Sequence, residues 1–157
     1  LSTHYAAIKE KNLTVNELLT IASLVEKEGS KTEDRKQIAG VFYNRLNIGM
    51  PLQSNIAILY AEGKLGKNIS LADDAAIDTS INSPYNVYLN LGLMPGPVDS
   101  PSLDAIEASI NQTKSENLYF VANVQDGKVY YATTREEHDR NVEEHVNSKL
   151  TQSSSSN

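Results

Sequence analysis

The clearest amphipathic stretch runs from Thr14 to Gly29, TVNELLTIASLVEKEG. At about 100° per residue, with Leu18 as zero, Val25, Ala22, Ile21 and Leu24 fall at roughly 340°, 40°, 300° and 240°. They form one apolar stripe. Thr14 and Glu17 have capping-box spacing, and Gly29 suits a C′ position because it tolerates positive φ. Glu28 falls at roughly 280°, between Ile21 and Leu24 and beyond both, while Lys27 falls at roughly 180° on the polar side. Glu26 lies at roughly 80°, on the other edge of the stripe. A carboxyl against apolar neighbours at a helix C-terminus is disfavoured in its ionised form by desolvation and by the helix dipole. Such a group suits general acid work. The same pattern also fits an ordinary, partly exposed Glu at a fraying helix end.

The remaining pattern is mostly helical. Residues 1–13 read as a short polar helix or lead-in carrying Tyr5, Ala6, Ala7 and Ile8. Ser30 and Glu33 repeat the capping-box spacing and open a helix whose apolar face is Ile38, Val41, Phe42, Leu46 and Ile48, ended by Gly49. A loop this short makes the two helices an antiparallel or angled pair. Phe42, Tyr43 and Leu46 read as core. Pro51 halts helix growth, and Ser54 or Asn55 caps a third helix, IAILYAEG, closed by Gly63. Ser70 to Asp74 again has capping spacing, for a short helix or turn. Ser100 with Pro101 at N1 starts a helix packed through Leu103, Ile106, Ala108 and Ile110. Asn117 to Val124 is the clearest strand, joined by the turn Gln125-Asp126-Gly127 to a partner at Lys128 to Ala132. Thr134 and Glu137 open a last helix reaching about Leu150. The fold class is therefore α+β: mainly helical, with a small antiparallel β-hairpin. Residues 1–150 are read as one domain and 151–157, ending in SSSSN, as a disordered tail.

Residues 80–100, SINSPYNVYLNLGLMPGPVDS, fit no period. Three of the five prolines lie here with Tyr85, Tyr88, Asn82, Asn86 and Asn90. A long irregular segment in a domain is usually functional or disordered, and aromatics with prolines oppose disorder. Tyr and Asn suit sugars through ring faces and amide hydrogen bonds. A structural loop whose tyrosines fill the core edge fits equally well.

Composition narrows the chemistry. The chain has 157 residues, 39% hydrophobic and 22% charged, ordinary for a globular domain. A net charge of −6 and no basic stripe argue against gripping nucleic acid. There are no cysteines, and His4, His138 and His145 lack ligand spacing, so no metal and no cofactor is expected. GxSxG, P-loop and GxGxxG motifs are missing. Glu26 and Glu28 point about 160° apart on one helix and cannot flank one bond. Asp73, Asp74, Asp99 and Asp104 are possible second acids, and spacing selects none. The residues alone lead to a single-acid site beside a Tyr/Asn/Pro loop. No run is apolar enough for a membrane span, and the chain opens without Met, as a segment of a longer protein would.

Four stretches in order, IASLVEKEG, VFYNRLNIGMPLQS, SPYNVYLNLGLMPGPVDSP and NLYFVAN, resemble the YceG-like family of endolytic murein transglycosylases over roughly residues 14–146. The resemblance implies a lysozyme-like helical core. It implies a bacterial enzyme whose catalytic domain lies outside the cytoplasmic membrane, anchored by a single N-terminal transmembrane helix. It implies cleavage of nascent peptidoglycan between N-acetylmuramic acid and N-acetylglucosamine, leaving a 1,6-anhydro-muramyl end, in company with wall-synthesis proteins such as penicillin-binding proteins. The family's catalytic acid, the second Glu of Glu-Lys-Glu, is Glu28 here, and motif positions imply Asn44, Arg45, Gln53, Tyr85, Asn86 and Tyr88 as cleft residues. Where the family often reads Gln-Ser/Thr-Asp-Pro-Thr, this chain has Gln53-Ser54-Asn55-Ile56-Ala57, losing the Asp and the Pro. A hydrolytic muramidase and a non-catalytic glycan-binding module are the alternatives.

Overall fold

The computed structural model describes residues 2–65, 76–123 and 125–147. The turn or helix expected at Ser70 to Asp74, the end of the last helix at 148–150 and the tail at 151–157 lie outside these residues. The chain divides into two compact units, residues 1–113 and 114–157.

In the first unit a 3-10 turn, Ser2–His4, leads into α1, Tyr5–Glu10. Ile8 is its buried residue. Helix α2, Val15–Glu28, has the expected capping box: Thr14 accepts from Glu17 N at 3.1 Å, and Glu17 Oε1 accepts from Thr14 N at 3.0 Å. The stripe of Leu18, Ile21, Ala22, Leu24 and Val25 is fully buried. Gly29 ends α2 for a different reason than expected. Its backbone is extended, with φ −129°. A Cβ there would lie 3.0 Å from Ile38 Cδ1 and 3.2 Å from Arg35 Cγ, so the close approach of the next helix is what selects glycine.

That next helix, α3, spans Thr32–Ile48 and ends on Gly49 in the left-handed region, φ 69°. Ser30 does not cap it. Lys31 holds the N-cap position without a side-chain bond, and Thr32 Oγ1 donates to Asp104 instead, at 2.9 Å. Helix α4, Asn55–Ala61, is capped in position by Ser54. Helix α5, Leu103–Ile110, begins two residues later than Ser100 and Pro101 predicted. Its N-cap is Ser102, whose hydroxyl accepts from Ala105 N at 3.2 Å and donates to Glu26 at 2.5 Å. Helices α2, α3 and α5 pack on one another, and α4 packs on α2. Tyr43 reaches across from α3 to donate to Ser109 O at 2.7 Å. Its burial pushes the phenol well above the usual range.

Residues 76–102 contain no helix or strand. The segment is pinned from inside. Val87, Met94 and Val98 are buried, and Val98 N donates to Ser23 Oγ on α2 at 3.1 Å.

In the second unit β1, Tyr119–Ala122, and β2, Val129–Ala132, pair antiparallel with Tyr119 opposite Ala132 and Ala122 opposite Val129. Gly127, at φ 73°, makes the turn. Helix α6, Arg135–Val142, is capped by Thr134 as expected and continues as a π-helical turn, Glu143–Asn147. His138 stacks on Tyr119 and His145 on Tyr130, which fastens this helical arm to the hairpin. The architecture is α+β, mainly helical with one two-stranded sheet among the described residues. Among those residues no helix is long and apolar enough to cross a membrane.

Candidate active site

Glu28 is the last residue of α2 and is half-buried, one turn beyond the fully buried Leu24 and Val25. Ser54 Oγ donates to its Oε1 at 2.9 Å. Ser54 is 3% exposed and makes no side-chain cap to α4, so its hydroxyl serves the carboxyl rather than its own helix.

The segment that delivers Ser54 is held at several points. Met50 N donates to Arg45 O at 2.9 Å. Arg45, on α3, is 6% exposed, and its Nη1 donates to Leu52 O at 2.6 Å. Gln53 then adopts φ 53°, a left-handed conformation costly for a residue with a Cβ, and its N–H donates to Val87 O at 3.2 Å. Strain of this kind persists only where surrounding contacts over-determine the backbone. Here Arg45 on one side and Val87 on the other do so.

The irregular loop is bonded to this segment through Val87 and Tyr88. Asn86 is 0% exposed and organises it from within. Its Nδ2 donates to Thr79 O and Ile81 O at 3.0 and 2.8 Å, and its Oδ1 accepts from Tyr88 N at 3.0 Å. Tyr88 donates its hydroxyl to Asn55 Oδ1. Asn55 stands where the family often has Asp, and its amide oxygen still accepts there. Tyr85 is half-buried and packs on Tyr60, ring centroids 4.6 Å apart. Burial first, and the nearby Tyr60 second, raise the Tyr85 phenol above its ordinary value.

Of the expected cleft residues, Arg45 and Asn86 are buried, at 6% and 0% exposure, and their side chains bond loop backbone. Gln53 is exposed beside Ser54, and Tyr85 and Tyr88 are part-exposed on the loop. Asn44 is half-buried on α3. Ser54 itself was legible only as a helix cap. The one signal for its second role is a hydroxyl directly after the motif glutamine.

Glu26 and Asp104 are engaged elsewhere. Glu26 Oε2 accepts from Ser102 N and Oγ, and its Oε1 faces Arg35 Nη2 at 3.3 Å. The Ser102 hydroxyl, more than Arg35, holds Glu26 below the usual carboxylate range. Arg35 also donates to Asp104 at 2.6 Å and to Gly29 O at 2.9 Å, so this network ties α2, α3 and α5 together. The Arg35 hydrogen bond lowers Asp104. Asp99 has neither carboxylate oxygen hydrogen-bonded among the described residues, and desolvation raises it to about 6 against the pull of Lys27. Among the described residues no group of three or more His, Asp or Glu is placed to hold a metal. A cavity of about 410 Å³ at the opposite end of α2, lined by Tyr5, Ile8, Leu13 and Val15 among others, contains none of these groups.

The comparisons decide the family. Residues 2–144 match the model of the YceG-like family. The chain belongs to the YceG-like family. A Streptococcus pneumoniae protein called endolytic murein transglycosylase is 82% identical over 150 residues, covering 96% of this chain and 27% of that protein. A Bacillus subtilis protein of the same name is 41% identical over 149 residues, covering 95% of this chain and 40% of that protein. The crystal structure of a yceG-like protein from Listeria monocytogenes superposes with a TM-score of 0.77 at 39% identity, covering 88% of this chain and 44% of that one. The chain thus spans between about a quarter and a half of the length of these relatives.

Proposed function

We propose that this chain is the catalytic part of an endolytic murein transglycosylase. It cleaves the β-1,4 bond between N-acetylmuramic acid and N-acetylglucosamine in nascent glycan strands and leaves a 1,6-anhydro-muramyl end. The observation that carries the reading is the Ser54–Glu28 contact: a half-buried carboxyl held by a buried hydroxyl whose sequence neighbours, Gln53 and Asn55, bond the Tyr/Asn loop. The names borne by its relatives support it.

One acid is enough for this reaction. On this reading neutral Glu28 accepts from Ser54 on Oε1 and carries its proton on Oε2. That proton passes to the glycosidic oxygen, the bond to the muramyl C1 breaks, and C1 gains oxocarbenium character. The C6 hydroxyl of the same sugar attacks C1 and gives its proton back to Glu28. No water enters and the acid is regenerated. Holding C6 over C1 replaces a separate nucleophile. Between the two proton transfers the Ser54 hydrogen bond strengthens as the carboxyl becomes charged. Gln53, Tyr85 and Tyr88 present the surface that orients the sugar, and Asn44 on α3 adds to it. Arg45 and Asn86 position that surface.

On this reading residues 1–150 form the transglycosylase domain. It works outside the cytoplasmic membrane, where peptidoglycan lies, carried by an N-terminal membrane helix of the longer protein and in company with penicillin-binding proteins. The test is mass spectrometry of glycan digests. Wild-type protein should release anhydro-ended products, and Glu28→Gln should keep the fold and release none. Products heavier by one water point to a muramidase. Binding without cleavage by the wild type points to a binding module.

A further inference from the structure

Helix α4 has a second feature at the end away from Glu28. Its last turn carries Tyr60, 39% exposed, while its neighbours Ala57, Ile58 and Leu59 are buried. A tyrosine kept on the surface beside these buried residues presents a flat apolar face with a polar tip. Tyr85 packs against that ring at 4.6 Å with the planes tilted by 47°, so the two rings form a shallow wedge rather than a sealed stack.

The wedge is tied to the reacting end of α4. Ser54, at the start of the helix, holds Glu28. Gln53 N bonds Val87 O, and Asn55 accepts from Tyr88. The loop that carries Tyr85 is thus fastened alongside α4 at the Glu28 end as well as at Tyr60. With a rise of about 1.5 Å per residue, Tyr60 stands roughly 9 Å along the helix axis from Ser54. A strand that has one bond at Glu28 and runs along α4 passes the wedge with a different sugar ring.

We propose that Tyr60 and Tyr85 form an aromatic subsite that stacks on a pyranose ring of the glycan strand, away from the bond cut at Glu28. Tyr60 is the exposed platform and Tyr85 sets its tilt. The inference rests on the glycan reading of the site and names where a distant part of the strand is gripped. Binding energy from such a remote ring fixes the register of the strand at the reacting bond.

The experiment uses the full-length protein with Glu28→Gln to hold the strand uncut, and N-acetylglucosamine oligomers of increasing length as probes. Tyr60→Phe keeps the ring and should bind as the parent does. Tyr60→Ala and Tyr60→Leu should lose about tenfold in affinity for the longer oligomers and little for the shortest. Melting temperatures of all variants check that the fold is kept. Unchanged binding by Tyr60→Ala overturns the proposal, and so does equal binding by Tyr60→Leu and Tyr60→Phe. The readout does not need cleavage. If the wild type releases no anhydro ends but Tyr60→Ala still loses binding, the transglycosylase reading fails and the subsite stands. If the wild type cuts and Tyr60→Ala binds as its parent does, the subsite fails and the transglycosylase reading stands.

Discussion

Ser54 Oγ donates to Glu28 Oε1 at 2.9 Å, joining the start of α4 to the last residue of α2. A serine at an N-cap normally accepts from its own helix. Ser54 makes no such bond. Its removal should therefore cost little stability and act on the chemistry instead. Ser54→Ala should stay within about 1 kcal/mol of wild type in denaturant unfolding. A hydrogen bond to a charged group is worth roughly 1.5–3 kcal/mol, and entering water recovers part of that, so kcat should fall about tenfold with KM little changed. A wild-type kcat in this variant would separate Ser54 from the reaction.

Asn86 makes the opposite prediction. Its amide satisfies two loop carbonyls and two loop N–H groups, and none of it reaches solvent. Asn86→Ala leaves Thr79 O and Ile81 O without these donors, at a cost of roughly 2–3 kcal/mol. Activity should fall too, because the loop's Val87 carbonyl holds the strained Gln53 backbone next to Ser54. Denaturant unfolding and kcat should drop together. If stability holds while glycan affinity alone falls, Asn86 contacts the sugar after all.

The sequence carried α2 in full, because capping box, apolar stripe and terminal acid all pointed one way. It misassigned the caps of α3 and α5 for a shared reason. Ser30 has capping-box spacing and Ser100 precedes a proline, but neither pattern reveals tertiary partners. Thr32 is drawn to Asp104, and Ser102 is held by Glu26. Both partners are distant in sequence. The irregular loop had no period to read, since Asn86 and the Val98–Ser23 contact organise it rather than a repeating face. Motif matching could not tell an exposed side chain from a buried one, as Arg45 and Asn86 are.

Gly40 tests the core. It lies on α3, and a Cβ there would come within 2.5 Å of Thr113 O, a backbone atom with no flexible end to yield. The same stretch is tied down where Thr113 N donates to Lys36 O at 3.2 Å. Gly→Ala inside a helix normally helps by about 1 kcal/mol. Here overpacking should reverse the sign, and Gly40→Ala should lose about 1–3 kcal/mol in denaturant unfolding. A stabilised variant would mean that residue 113 can move freely away from α3.

Asp99 gives a pH signature. Desolvation raises its carboxyl from 3.8 to about 6, and Lys27 and Glu26 are the charged groups that act on it, in opposite directions. The sign follows from linkage. Below about pH 4 the carboxyl is protonated in folded and unfolded chains alike, and the raised folded value gives its full contribution. Between about pH 4 and 6 the unfolded chain releases the proton first, so this contribution is lost as pH rises, and above about 6 none remains. Asp99→Asn removes the titration. Relative to wild type, the variant should gain stability between pH 4 and pH 7.5, by on the order of 1 kcal/mol after allowing for solvent screening. Lys27→Ala removes the opposing attraction and should enlarge that difference. Unfolding curves at the two pH values test both. A gap between Asp99→Asn and wild type that does not change with pH would show that Asp99 titrates as an ordinary surface acid.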